Sequence, residues 1–276
     1  MAAVPRWCPA DQIRARTMDG YIVAGRPYIL GETSWKAVSR ARYDVAVLPW
    51  GATEAHNYHL PYATDVIQAE AVAAEAARIA WEAGARPIVL PAIPFGVQTG
   101  QRDIPLCVNL NPSTQSLILR DVAETVSGAG IRRLLLLNAH GGNDFRAIIR
   151  ELQPGTDVFL CTINWWNCVD PEPFFDLPGD HAGELETSVT MHLAPELVLP
   201  LSEAGDGAER KAKVAGLRDG WAWAPRPWTR ISADTGVGDP RAATAAKGAA
   251  FFRAVTERVG GFLVELARTP PEEMYG

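Results

Sequence analysis

Histidine is scarce in this sequence: His56, His59, His140, His181 and His192 are the only five among 276 residues. Cysteine is scarcer, with four (Cys8, Cys107, Cys161, Cys168) and no C-x-x-C pair or zinc-ribbon spacing. Neither a disulfide framework nor a sulfur-ligated zinc module is therefore expected, and the thiols read as buried and reduced, in a cytoplasmic protein. No stretch approaches the ~20 consecutive apolar residues that span a bilayer. The first eleven residues also lack the apolar core of a secretory signal. A basic excess is missing too: 26 Lys and Arg against 32 Asp and Glu leave a net charge of −6, without a long basic run. That balance argues against nucleic acid as a partner. With 47% hydrophobic and 21% charged residues, the composition is not that of a disordered chain. No internal repeat, low-complexity tract or linker divides the chain, which reads as a single domain over 1–276 with material for a full core.

What the chain does contain is an alternation of strand and helix signals. Val45-Ala-Val-Leu-Pro-Trp50-Gly51, 87–91, 131–137 and 158–163 are short apolar runs, the first halted by glycine. Between and after them, helical spacing marks 66–83, 111–127, 143–152, 183–193 and 240–266, with Asn111 or Ser113 and Asn143 as candidate caps. Residues 199–238 read as irregular. This order predicts a mostly parallel sheet covered by helices on both faces.

Three segments at or after strand ends carry groups capable of chemistry. In Glu54-Ala-His56, side chains two apart project from the same face of an extended backbone. Asp65 follows at the start of a helix. Two carboxylates and an imidazole suit Zn, Mn or Fe, although a helix-capping Asp65 and a solvated Glu54 would explain the same residues. Asn138-Ala-His140-Gly141-Gly142-Asn143 places a second histidine at a neighbouring strand end, with glycines that free backbone N–H groups. A tight turn accounts for the glycines but not for His140. Asp180-His181-Ala-Gly-Glu184-Leu-Glu186 offers a bridging ligand and a general acid or base, or simply acidic residues at a helix start. Glu184 and Glu186 cannot share one helix face, so one is expected to point inward and the other to solvent. His192 receives no role. Trp165-Trp166 reads as packing or as a wall for a substrate.

Taken in order, these segments resemble the creatininase (creatinine amidohydrolase) family, whose pattern is roughly P-x-G-S-x-E-x-H-G-x-H-L-P-x-x-T-D, then N-G-H-G-G-N, then H-A-G-x-x-E-T-S. The matching stretches are Pro49 to Asp65, Asn138 to Asn143 and His181 to Ser188, with Asp234-Thr-Gly-Val-Gly-Asp-Pro240 resembling a late turn. The resemblance spans about residues 30 to 265. It implies a three-layer α/β/α sandwich, usually a homohexamer, with two divalent metal ions per chain (Zn or Mn, with Fe as a further option). By position it implies Glu54, His56, Asp65, His140 and Glu186 as ligands, with Asp65 bridging. His181 becomes the acid/base beside the leaving group. Glu184 is grouped with it as catalytic, either behind the ligands or facing solvent. The implied reaction is hydrolysis of a C–N bond in a small amide, expected to be cyclic, with a metal-bridged water as nucleophile. Two alternatives are hydrolytic opening of a cyclic polyol ketone and a catalytically silent metal-stabilised binding protein. Creatinine-cleaving members carry a glutamate where this chain has Gly142, which points away from creatinine. Asn57 replaces the usual glycine and also tolerates left-handed backbone. Trp50, Tyr58 and Tyr62 make the first loop aromatic and hint at a cyclic substrate.

Overall fold

Leu134, Leu135, Leu136 and Leu137 are completely buried, as a strand covered on both faces requires. Each such leucine contributes ~1.5–3 kcal/mol relative to an exposed one. In the computed structural model, which describes residues 16–18, 21–23, 25–177 and 179–276, these leucines lie in a four-stranded parallel sheet. Strands β1 (Arg16–Met18) and β2 (Tyr21–Val23) form a separate antiparallel pair. The central sheet contains β3 (Val45–Trp50), β4 (Pro87–Val89), β5 (Arg133–Asn138) and β6 (Phe159–Asn164) in the order β4-β3-β5-β6. Its register sets Trp50 opposite Asn138 and Asn138 opposite Asn164, so three strands end at one edge.

The helices are α1 (Trp35–Val38), α2 (Thr64–Glu82), α3 (Pro112–Gly128), α4 (Phe145–Leu152), α5 (Glu184–Leu193), α6 (Ala215–Arg218), α7 (Trp228–Ile231) and α8 (Ala245–Arg268). Alternation along the strands sorts them into two layers. Val45, Val47, Leu135 and Leu137 join the buried alanines of α2 and Phe251, Val255, Val259 and Leu263 of α8. Ala46, Leu48, Trp50, Leu134 and Leu136 instead meet Leu119, Ala123 and Val126 of α3 and Phe145 and Ile148 of α4. The expected α/β/α sandwich is therefore present. Most of residues 199–238 is irregular, with only short turns of helix and β8 (Val237–Gly238), which pairs antiparallel with β7 (Gly179–His181).

Two helix starts differ from the sequence reading. Asp144, not Asn143, caps α4 by accepting from the Arg146 N–H. Helix α8 begins at Ala245 because Pro240–Ala243 closes a turn first and Thr244 then caps Lys247. Cys107, Cys161 and Cys168 are free thiols, and burial pushes the Cys161 pKa up to about 12. Cys8 and the N-terminal segment lie outside the described residues. Among those described, no helix is long and apolar enough to cross a membrane.

Candidate metal centre

Strand β3 delivers its loop to the N-terminus of α2 at very close range. A Cβ at Gly51 would stand 2.8 Å from the backbone nitrogen of Val66, so only glycine permits this approach. The approach sets Asp65, in the first turn of α2, against the loop that carries Glu54 and His56. Strand β5, adjacent to β3, brings His140 to the same place. A closed hydrogen-bond set shapes its turn: Asn138 receives from the His140 N–H and from Asn143 Nδ2, and donates to the His140 carbonyl. Asn57 has φ of 53°, in the left-handed region expected of it. Its amide side chain exchanges hydrogen bonds with both backbone groups of Gly205, and its own N–H donates to Thr235 Oγ1. The ligand loop is thus fastened to the irregular region far along the chain.

Each of three buried imidazoles is tied by one nitrogen to a backbone carbonyl. His56 Nδ1 donates to Glu54 O (3.2 Å), His140 Nε2 to Val97 O (2.9 Å) and His181 Nε2 to Ala55 O (2.9 Å). Such ties fix ring orientation and turn the second nitrogen into the centre. Those second nitrogens face carboxylates. His140 Nδ1 is 2.8 Å from Glu54 and 3.2 Å from Asp65 Oδ2, and His56 Nε2 is 2.9 Å from Asp65 Oδ1. His181 Nδ1 stands 3.8 Å from Glu54.

The donor atoms fall into groups able to hold a cation: Glu54, Asp65 and His140; His56, Asp65 and Glu186; and Glu54, His56 and His181. Asp65 is common to the first two, and its two oxygens face different histidines. His56 Nε2 and Asp65 Oδ2 are buried without an aligned hydrogen-bond partner. Unpaired buried donors of nitrogen and oxygen type fit a divalent metal. The electrostatics agree. Burial disfavours charge on His56, yet Asp65, Glu186 and Glu54 outweigh it and raise its pKa to about 10. Burial likewise opposes the His140 cation, and Glu54 and Asp65 again prevail. Asp65 is held ionised against its burial by the same histidines, while burial raises the Glu186 pKa. The cluster favours positive charge at its centre.

All five expected ligands and His181 therefore converge. Glu184 does not join them. Its carboxylate is buried on the Lys247 ammonium (2.5 Å) and accepts from the N–H groups of Asp176 (2.9 Å) and Leu177 (2.6 Å). Neither glutamate of the pair points to solvent; Glu184 lines the cavity and is fastened to the neighbouring 176–177 segment and to Lys247. His59 bonds Thr187 Oγ1, and His192 packs beside Phe252.

A cavity of about 1600 Å³ opens over the cluster. Trp165 is buried against Phe251, whereas Trp166 lines the cavity with Phe175, Trp223 and Trp228. Trp50 is core, and the hydroxyls of Tyr58 and Tyr62 bond Ala233 O and Pro105 O elsewhere. The aromatic first loop thus does not shape the cavity, and the hint of a cyclic substrate loses its basis. Trp228 covers His181, with ring centroids 4.6 Å apart.

Sequence reading missed Gln101, a buried residue whose Nε2 donates to Glu54 Oε2 (2.5 Å) and whose Oε1 accepts from Cys107. Nothing in its surroundings in sequence marks it. Gly142 also gains a structural reason: a Cβ there would lie 2.1 Å from Val97 O and 2.5 Å from His140 Nε2.

Comparison with known proteins agrees with this geometry. The family model described as Creatininase: Creatinine amidohydrolase matches residues 31–263. The mycofactocin precursor peptide peptidase of Mycobacterium tuberculosis (strain CDC 1551 / Oshkosh) is 32% identical over 225 residues, covering 76% of this chain and 81% of that protein. The crystal structure of a candidate creatinine amidohydrolase from Bacteroides fragilis NCTC 9343 superposes with a TM-score of 0.85 at 41% identity, covering 91% of this chain and 99% of that one. Creatininases solved in a Zn-Zn and a Mn form superpose at 0.71 and 0.70, each 25% identical, over 87% and 86% of this chain and 98% of theirs. The chain belongs to the creatininase family and is a metal-dependent hydrolase.

Proposed function

We propose that the protein hydrolyses a C–N amide bond at a two-metal centre held by Glu54, His56, Asp65, His140 and Glu186. The observation that carries this reading is the sharing of Asp65 between two three-residue donor groups, one with Glu54 and His140 and one with His56 and Glu186. When bound, a pair of divalent ions, Zn or Mn as in the related creatininases, supplies Lewis acidity for the scissile carbonyl and a nucleophilic water near neutral pH.

The chain's own groups do the rest. With Nε2 committed to Ala55 O, His181 exchanges a proton at Nδ1. It acts as the acid that protonates the departing nitrogen, so that water is added as hydroxyl to carbon and proton to nitrogen. Trp228 over His181 limits water there. Gly142 leaves no room for the glutamate of creatinine-cleaving members, and the cavity volume favours an amide within a larger molecule, peptides included. The chain works as one hydrolase domain over 1–276, cytoplasmic by its reduced thiols and homohexameric by family resemblance.

Metal analysis of the purified protein tests the centre. About two equivalents per chain are expected by the two-metal reading. Asp65→Asn should lose both, and Glu186→Gln one. Loss of a single equivalent on Asp65→Asn, or none, refutes the bridging role. His181→Ala should keep the metals and lose turnover on a panel of peptides, formamides and cyclic amides.

A further inference from the structure

Gln98 is the only buried side chain, among the described residues, in which two polar atoms lack any partner. Neither its Nε2 nor its Oε1 makes a hydrogen bond, although the residue is 4% exposed. Buried carboxamides are rarely left in that condition, because both groups forfeit their bonds to water. The neighbouring glutamines show the contrast. Gln101 uses both ends of its amide, and Gln115 donates to Asn143 Oδ1 while its Oε1 stays unmatched.

The backbone around Gln98 is held from three sides. Its own N–H donates to Asn109 Oδ1 (2.8 Å), the Val97 N–H donates to Asn143 Oδ1 (3.0 Å), and Val97 O receives from His140 Nε2 (2.9 Å). A residue one step from the carbonyl that orients a metal ligand is therefore rigidly mounted and lines the same cavity as that ligand. Gln115 lines it too, and is linked to the Val97 segment through Asn143. The terminal torsion of glutamine is broad, so its amide turns toward an occupant at little cost.

We propose that Gln98, with Gln115 beside it, reads an uncharged amide edge of the substrate next to the bond that is cut. The unmatched atoms are one donor-bearing nitrogen and two acceptor oxygens, with no charge among them. Their complement offers N–H groups and one carbonyl, as a carboxamide, a peptide unit or a ureide does. A carboxylate would meet two oxygens, and an ammonium would meet an N–H. The identity of the scissile bond rests on the amide-hydrolase reading above; recognition by Gln98 does not depend on it.

The test compares binding of succinamide and of dimethyl succinate, which has no N–H, to the metal-loaded protein by calorimetry or saturation-transfer NMR. The amide should bind ~10- to 100-fold tighter, the range set by a group left unpaired in the ester complex. Gln98→Met should erase that preference, retain the bound metal and melt no lower than the parent protein, since it removes two unmatched polar atoms. Equal or absent binding of the two probes by the parent protein overturns the proposal. So does a preference that survives in Gln98→Met, or a melting temperature that falls, which would show the carboxamide to be satisfied within the fold. If no amide is cleaved, the hydrolase reading fails while these binding and stability measurements still decide the role of Gln98.

Discussion

His140 gives its Nε2 proton to the carbonyl of Val97 across 2.9 Å, so a candidate ligand at the end of β5 is aimed by a segment that follows β4. The same carbonyl is the atom that a side chain at position 142 would strike first. Two features of the centre, the aim of a histidine and the absence of a side chain, are therefore one requirement.

Gly142→Glu makes that requirement measurable. The new side chain should not confer creatinine hydrolysis. It should displace Val97 or His140, cost ~1–3 kcal/mol of stability as overpacking does, and lower metal content in elemental analysis. A stable, fully metallated Gly142→Glu protein would contradict the geometry.

Gln101 holds Glu54 from behind, leaving the other carboxylate oxygen to face His140. Gln101→Leu should weaken metal binding by ~10- to 100-fold, the usual effect of removing a partner that orients a ligand. Competition with a chromogenic chelator reads this directly. Gln101→Glu should be worse than Gln101→Leu, because it sets a second carboxylate against the first.

Glu184→Ala separates support from catalysis. The Asp176 and Leu177 N–H groups lose their acceptor, at ~1–3 kcal/mol for donors left unpaired in a part-buried place. The melting temperature should fall, while metal content stays at the parent value. Loss of metal without loss of stability would return Glu184 to the centre.

His59 gives a pH signature. Burial, and then the charge of nearby His56, hold its pKa down at about 4, against an ordinary 6.5, with Asp234 opposing. Between those values the unfolded chain binds a proton that the folded one refuses. This contribution is complete above pH 6.5 and is lost as pH falls toward 4. In denaturant titrations, His59→Gln should flatten the slope of stability against pH in that window, and an unchanged slope would count against a neutral His59.

The sheet was legible because burial on both faces leaves an unbroken apolar run, as in Leu134–Leu137, and glycine marks the exit from β3 at Gly51. The candidate ligands were legible because histidine is rare and falls at those exits. The family pattern then ordered the carboxylates. Glu184 misled, because spacing on a helix says which faces differ but not what waits opposite each face, here Lys247 from α8. Gln98 and Gln101 were invisible because an amide carries no charge and no spacing rule. Their meaning lies in contacts made across the fold. The two tryptophans at 165 and 166 looked equivalent in sequence, and only the packing of Phe251 sends one inward and leaves the other at the cavity.

Asn57 bonds Gly205 and Thr235, residues 148 and 178 positions further along the chain. Every proposed ligand lies at or before Glu186, yet these bonds to the loop bearing Glu54 and His56 form only once the last third of the polypeptide has been made, after those from Gln101 and Cys107. During synthesis from the N-terminus, at ~5–20 residues per second, the proposed ligands emerge well before this last brace. The nascent chain thus passes through an interval in which it carries the proposed donors before the cage around them is complete.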